Sequence, residues 1–410
     1  MTAKRKGLLA LLLAWALFLG LSSWDSDVLP ITRDITQVKL IRTLALDKGE
    51  GAALRLTASG NIQKQGNDGQ SQPPLILTQE AMTISGGCSG LQQQSDGFVE
   101  FGHLAECVIG EELARTELLQ LADFVARDFS MRMESKLFVV AGATGEEAVQ
   151  GAASKSSALT DRLTAISQNR SLGGRKWPYT FRQLISQLED NGCGLVPVLT
   201  LTDNPDFDPE GKGEEPEKEI NFTGLAFLKE GNLADYLTPE ESKGAALLNN
   251  QDQLDMVELT LEDGTPVGVQ LVYAQRSLEP AFDEQGQLTG LTIRIKAKGE
   301  LSEVSGPASP TDAQSLEQMR QGFSEQLRLW AQAALDRSQK EGADFLHLRR
   351  ELICRSPLHS RQIQENWDDW FPEITLKTEV EGEVERSYDV DRPMEEGMKA
   401  WSKGRFPRNS

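Results

Sequence analysis

Histidine and cysteine are scarce in this sequence, with three and four among 410 residues. His347 and His359 stand far apart, and no C-x-x-C pair occurs, so we predict no metal site and no cofactor. The four cysteines are Cys88, Cys107, Cys193 and Cys354. They allow three complete disulfide pairings, and the sequence does not choose among them.

Positive charge is also scarce. The chain has 42 lysines and arginines against 62 acidic residues, which gives a formal net charge of -20. Proteins that bind nucleic acid usually present a basic patch. The basic cluster that we identify is residues 4–6, at the start of the chain, so we predict no nucleic-acid partner.

Motifs of catalysis are missing as well. No G-x-S-x-G motif supports a catalytic role for His103, and a hydrogen-bonded structural histidine is the favoured interpretation over a base or ligand. Glu111 and Glu112 are interpreted as acids that open a helix. Trp367 and Trp370 indicate a hydrophobic anchor, with a ligand platform as the alternative. We therefore predict a protein that is not an enzyme and has no catalytic, cofactor-binding or metal-binding residues.

The start of the chain has the layout of an export signal. Three basic residues precede an apolar run at residues 8–21. A helix of that length spans about 21 Å, short of the roughly 30 Å hydrocarbon core of a bilayer. We expect residues 1–22 to be a cleaved signal or an interfacial anchor, with cleavage before Ser23.

The hydrophobic pattern predicts an α/β fold. Residues 104–109 and 136–141 indicate buried strands, with a helix opened by Glu111 between them, which is the order of a βαβ crossover. Further along, Thr180 is expected to cap a helix that Gly192 ends. Residues 76–85 are open to strand or helix, and the favoured interpretation is a strand that is followed by a turn at Gly86 and Gly87.

The C-terminal half is predicted to be an antiparallel sheet packed on a long helix. Thr238 and Glu241 form a capping-box pattern around Pro239. Strands are expected at 255–261, 266–276, 288–301 and 374–384. Thr311 is the expected cap of the longest helix, whose apolar residues recur every three or four positions: Leu316, Met319, Phe323, Leu327, Trp330 and Ala334.

We predict three domains, each a mixed sheet with flanking helices. Residues 203–219 hold many acids and three prolines without an apolar period, and they are interpreted as an acidic linker. The full division is 1–22 export segment, 23–202 N-terminal α/β domain, 203–219 linker, 220–253 small middle domain, 254–388 C-terminal domain and 389–410 tail. In this division, strands from the N-terminal domain can also form part of the middle domain.

Several stretches together resemble one family, the Ger(x)C-type spore germination proteins, which are the C subunits of nutrient-germinant receptors. Their order and spacing run the length of the chain. They are Trp24 with Asp25, FGHLAECVIGEELAR at 101–115, Arg127 with Asp128 before KLFVVA, residues 224–248, and NWDDWFPEI at 366–374.

The resemblance implies a role without catalytic residues. It implies a place on the outer face of the spore inner membrane, beside a permease-like B subunit and an integral-membrane A subunit, and a task in the germination response to nutrients. Family members carry a lipid-accepting cysteine directly before Trp-Asp, but this chain has Ser23 there. A hydroxyl does not supply the thiol, so we expect no lipid at this position. The rival hypothesis is a stand-alone extracytoplasmic solute-binding protein, which would hold its ligand between domains.

Overall fold

The fold is seen in a computed structural model, which describes residues 37–51, 53–60, 74–127, 131–154, 159–172, 179–203, 218–249, 256–305 and 312–386, together with Trp15. Several predictions lie outside these residues. They concern the export segment apart from Trp15, Ser23, positions 204–217 of the acidic linker, the tail 389–410, and Thr311 itself. None of the helices in the described ranges is long and apolar enough to span a bilayer.

A nine-stranded mixed sheet forms the first part of the molecule. Its order is β3-β2-β1-β5-β6-β7-β8-β9, and β4 pairs with the start of β1. The central strands β1, β5, β6 and β7 are parallel, and both flanks are antiparallel. The strands are β1 (Val38–Lys48), β2 (Leu54–Gly60), β3 (Leu75–Ala81), β4 (Phe98–Glu100), β5 (Glu106–Gly110), β6 (Lys136–Ala141), β7 (Gly194–Asp203), β8 (Lys218–Lys229) and β9 (Asn232–Tyr236).

Helices cover both faces of this sheet, because parallel neighbours need crossover connections. The βαβ crossover through β5, α2 and β6 is confirmed. So are the caps of α5, where Thr180 forms a capping box and Gly192 takes a left-handed conformation with φ of 70°. The helices are α1 (Ile84–Gln94), α2 (Glu111–Arg127), α3 (Gly145–Ser154), α4 (Leu159–Leu172) and α5 (Phe181–Asn191).

The predicted turn at Gly86 and Gly87 is wrong, because both glycines lie inside α1. Thr83 caps this helix by accepting a hydrogen bond from the Gly86 amide at 3.1 Å. A Cβ at Gly87 would come within 2.6 Å of the Leu56 side chain. The glycine therefore lets α1 pack closely on β2. Local sequence rules treat a pair of glycines as a turn signal and do not detect such packing.

Residues from the predicted middle domain complete the first sheet and then lead to the second part of the molecule. β8 and β9 form a hairpin around Gly231, and α6 (Pro239–Leu248) begins with the predicted capping box at Thr238. α6 packs closely on the long helix α7 (Ala313–Lys340): a Cβ at Gly244 would lie 1.8 Å from the Trp330 carbonyl oxygen. One apolar core is continuous from this region into the second sheet. The number of domains stays a prediction.

The second sheet has four strands in the order β10-β11-β12-β13. The prediction of an antiparallel sheet is confirmed for the first three strands and wrong for β13, which runs parallel to β12. The three helices between β12 and β13 return the chain to the end from which β12 started, so β13 takes the same direction. The remaining elements are β10 (Met256–Thr260), β11 (Pro266–Phe282), β12 (Leu288–Val304), α8 (Leu348–Arg355), α9 (Ser360–Trp370) and β13 (Thr375–Arg386).

The long helix α7 presents the predicted apolar face to this core. Five of the six residues named for that face are buried, and Leu316, in the first turn of the helix, is half-buried. The expected cap at Thr311 is wrong by one position. Asp312 caps the helix, because its carboxylate accepts a hydrogen bond from the Ser315 amide at 2.8 Å.

Candidate functional site

The parallel centre of the first sheet creates the place where open α/β sheets usually bind ligands. β1, β5 and β6 end side by side, α2 begins directly after β5, and α3 begins after a short turn at 142–144 that follows β6. Ligands in such sheets bind outside the carboxyl ends of the strands, close to helix N-termini. A cavity of about 380 Å³ lies at this edge, lined by residues of all three strand ends and of α2, among them Asp47, Gly110, Glu111 and Gly142.

Asp47, at the end of β1, closes the N-terminus of α3 because its carboxylate occupies the free amides there. Its two carboxylate oxygens accept hydrogen bonds from the amides of Gly145 at 2.7 Å and Glu146 at 2.9 Å. The side chain is buried, and burial raises its pKa although these two hydrogen bonds act in the opposite direction. A Cβ at Gly110 would lie 2.1 Å from a carboxylate oxygen, so glycine is required beside Asp47.

Glu111 makes a similar closure at the start of α2. It accepts a hydrogen bond from the Gly142 amide at 2.7 Å and two from the Arg115 guanidinium at 2.7 and 2.9 Å. Burial raises its pKa, but these hydrogen bonds outweigh burial and hold the pKa below the usual value. Glu112 pairs with Lys48 at 3.4 Å. The interpretation of Glu111 and Glu112 as helix-opening acids is confirmed.

The chemistry open to this edge is limited by these internal partners. The amides that would bind an anionic ligand at α3 are bonded to Asp47, and Thr144 accepts a further bond from the Glu147 amide at 3.1 Å. No group of three or more metal-ligating side chains exists in the described part of the chain. The arrangement therefore works as a structural joint between strand ends and helix starts.

The structure does not bring the predicted candidate residues together. His103 lies in the connection before β5 with an exposed side chain, and none of the described residues hydrogen-bonds to it, so its hydrogen-bonded structural role stays a prediction. His359 stacks on the Phe282 ring at 3.9 Å between centroids. His347 lies elsewhere, at the start of α8, with a left-handed φ of 55°.

The aromatic pair and the cysteines have packing roles. Trp367 is buried and stacks on Phe371 at 5.0 Å, so the prediction of a hydrophobic anchor is confirmed for it, while Trp370 packs half-buried on the same core. Cys107, Cys193 and Cys354 are free thiols. Burial raises the pKa of Cys107, and it raises the pKa of Cys193 to about 12, which keeps both thiols protonated and unreactive.

A polar seam that the sequence did not predict joins the first sheet to the second part. Asp190 at the end of α5 lies 3.4 Å from the Arg349 guanidinium and 3.6 Å from the His347 ring. His347 and Arg349 hold the pKa of Asp190 below its usual value although burial opposes them. Asn191 donates a hydrogen bond to the Asp344 carbonyl at 2.8 Å across the same seam.

Buried charges continue from the seam into the second sheet. The Asp344 carboxylate caps α8 by accepting hydrogen bonds from the amides of Leu348 and Arg349, both at 2.9 Å. Arg276 on β11 is buried and pairs with Glu351 at 2.8 Å. The partners of Arg276 and Asp190 are far apart from them in sequence, so no local pattern could have revealed these two pairs. The one local signal was the pair of adjacent arginines at 349 and 350 in an acidic chain.

Comparisons with known proteins place this architecture. A family model described as the spore germination protein N-terminal domain matches residues 32–201, and one described as spore germination B3/GerAC-like, C-terminal, matches residues 223–388. The spore germination protein GerQC of Bacillus cereus is 17% identical over 374 residues, which cover 91% of this chain and 98% of that protein. The crystal structure of the GerBC protein aligns with a TM-score of 0.52 at 16% identity, over 86% of this chain and 99% of that chain, which establishes a shared fold.

Proposed function

This chain belongs to the GerC-type spore germination proteins, and on that premise we propose that it is the non-enzymatic C subunit of a nutrient-germinant receptor. The observation that carries the proposal is the match of both family domains, in order, across most of the chain. In this role the protein works on the outer face of the spore inner membrane. Its partners there are a permease-like B subunit and an integral-membrane A subunit.

The geometry of the first sheet supports a role without catalysis. At the edge where a catalytic or ligand-binding α/β protein would present free donors, Asp47 and Glu111 already accept the backbone hydrogen bonds. The carboxylates are tied to helix starts, and their neighbours Arg115 and Lys48 are paired with Glu111 and Glu112. An acid–base or nucleophilic reaction would have to break these joints before it could begin.

The rival function, a stand-alone solute-binding protein, has less support. Such a protein needs a cleft with convergent polar groups that are free to bind the solute. The junction between the two parts of this molecule is instead filled by an apolar core and by the paired charges of the seam, such as Asp190 with Arg349. Calorimetric titration with amino acids and sugars tests the rival function directly, because a solute-binding protein must show saturable binding as an isolated chain.

A germination assay tests the receptor role. Deletion of the gene from the source organism should reduce the response of spores to one class of nutrient, with the response to a receptor-independent trigger unchanged. Reintroduction of the wild-type gene should restore it. Normal germination of the deleted strain with every nutrient that the parent strain answers would overturn the proposal.

We also propose that Ser23 leaves the chain without the lipid that its family carries. The family cysteine supplies a thiol for the diacylglyceryl group, and serine offers only a hydroxyl. Mass spectrometry of the protein isolated from spores should show an N-terminal region without a diacylglyceryl mass. A diacylglyceryl mass on any residue of this region would contradict the proposal.

A further inference from the structure

Glu106 is a buried carboxyl group that takes no part in the site described above. It lies at the start of β5, and 1% of its surface is exposed. The Thr160 hydroxyl donates a hydrogen bond to it at 2.7 Å, and the same hydroxyl shares a hydrogen bond with the Thr43 hydroxyl at 2.8 Å. All three side chains are buried, so Glu106, Thr160 and Thr43 form a polar chain between the sheet and α4.

The first two turns of α4 cover this polar chain. Leu159 and Leu163 pack into the apolar cluster on this face of the sheet, and Arg162 pairs with Glu219 at 2.7 Å at its margin. Thr160 stands between the two leucines and reaches Glu106. Removal of α4 from the sheet would therefore expose the Glu106 carboxyl to water. Thr160 is the residue of α4 that contacts this carboxyl directly.

We propose that α4 is a pH-dependent lid, held on the sheet by the protonated form of Glu106 and released more readily when that group is ionised. The charged groups that face Glu106 are Lys136 on β6, Arg42 on β1 and Asp161 on α4 itself. The two basic groups favour the ionised form, whereas Asp161 disfavours it. The lid is a property of the fold and does not depend on the proposed receptor role.

The sign follows from the two environments of the carboxyl. With α4 in place, burial raises the pKa of Glu106 above its ordinary value of 4.5, although the Thr160 hydrogen bond and the two basic groups oppose the shift. With α4 detached, the hydrated group returns toward its ordinary pKa. Opening therefore releases a proton at pH values between 4.5 and the raised pKa, and rising pH favours opening within that range.

Each pH unit inside that window can change the opening equilibrium by up to tenfold, because one proton is coupled to the motion. A detached helix of this length is marginal on its own in water, so opening should expose its amides to exchange. Hydrogen–deuterium exchange of the full chain, followed by mass spectrometry, can detect this. The readout is the protection of peptides from α4 at pH 5 and pH 7, corrected for the intrinsic pH dependence of exchange.

The wild-type chain should lose α4 protection severalfold between pH 5 and pH 7, while peptides of α5 keep theirs. Glu106→Gln should remove this pH dependence, because the amide does not ionise. Asp344→Asn is the matched control, since Asp344 is another buried carboxyl whose pKa burial raises but it caps α8. It should leave the pH dependence of α4 unchanged.

A second variant keeps the test decisive if Glu106→Gln does not fold. Thr160→Val removes the hydroxyl that favours the ionised carboxylate in the closed state, so it should extend the pH-dependent loss of α4 protection to higher pH. Protection of α4 that does not depend on pH in the wild-type chain would overturn the proposal. The same conclusion would follow if Glu106→Gln retained the full pH dependence.

Discussion

The two sheets of this molecule handle charge in opposite ways. In the first sheet, all five residues of β5 are buried. Two carboxyl groups of this sheet, Glu106 on β5 and Asp47 on β1, are buried as well, and each accepts a hydrogen bond from a specific hydroxyl or amide group. In the second sheet, β12 alternates, with one side on the core and the other in water. Its outer side carries a ladder of opposite charges, in which Arg294 pairs with Glu379 at 3.0 Å and Lys298 with Glu385 at 3.4 Å.

This difference follows from how the strands are connected. Parallel strands need crossovers, and the crossover helices cover both faces of the first sheet, so a charge there must be bonded to backbone or hydroxyl groups. The second sheet is covered on one face, mainly by α7, and the charges on its outer face remain hydrated, whereas Arg276 is buried and paired with Glu351. We therefore expect single charges to matter more in the first sheet, and the one-sided apolar core to matter more in the second.

The largest effect is expected from the core under α7. Trp330 is buried there, and Trp330→Ala should lower the free energy of unfolding by roughly 3–5 kcal/mol because it leaves a large cavity. Urea denaturation measures the change. Leu329→Ala is the matched control, because Leu329 stands next in the same helix with its side chain half exposed. Equal losses for the two variants would contradict the one-sided core.

A buried charge of the first sheet should come next. Asp47→Ala removes the acceptor of the Gly145 and Glu146 amides, and an unsatisfied buried donor costs about 1–3 kcal/mol. Unfolding by urea should show this loss, and exchange of α3 amides should rise. Glu80→Ala serves as control, since Glu80 has an exposed carboxylate near Arg55. If Glu80→Ala were as harmful as Asp47→Ala, burial would not be the cause.

The pH dependence of the same position gives a sharper test. Burial raises the folded-state pKa of Asp47 above its ordinary value of 3.8, so the folded chain holds this proton more tightly than the unfolded chain. Its contribution to stability is therefore greatest below pH 3.8 and declines as the pH rises through the raised pKa. Relative to wild type, Asp47→Asn should gain stability as the pH rises from 3.8 to 7. A constant difference across this range would show that the pKa is not raised.

The smallest effect is expected on the outer face of the second sheet. Nearby Glu385 and Glu383 raise the pKa of Lys298, but the side chain is exposed to solvent and its interactions are screened by salt. Lys298→Ala should leave the urea midpoint unchanged within error at physiological ionic strength. A loss as large as that of Asp47→Ala would remove the contrast between the two sheets.

Sequence patterns predicted the elements whose signals are local. The caps at Thr180 and Thr238, the βαβ crossover and the apolar face of α7 all depend on neighbouring residues, and the structure has them. The direction of β13 and the place of Gly87 depend on distant partners, namely β12 and Leu56. The seam between Asp190 and Arg349 was hidden for the same reason. Long-range pairing leaves no periodic trace along a single chain.

The receptor role is the central claim, and affinity capture from spore membranes tests it most directly. A tagged copy of the full chain, expressed at its own locus, should recover a permease-like B subunit and an integral-membrane A subunit in fixed proportion after gentle solubilisation. A tagged exported protein without relation to germination provides the control. Recovery of the chain alone under conditions that keep other membrane complexes intact would contradict the account.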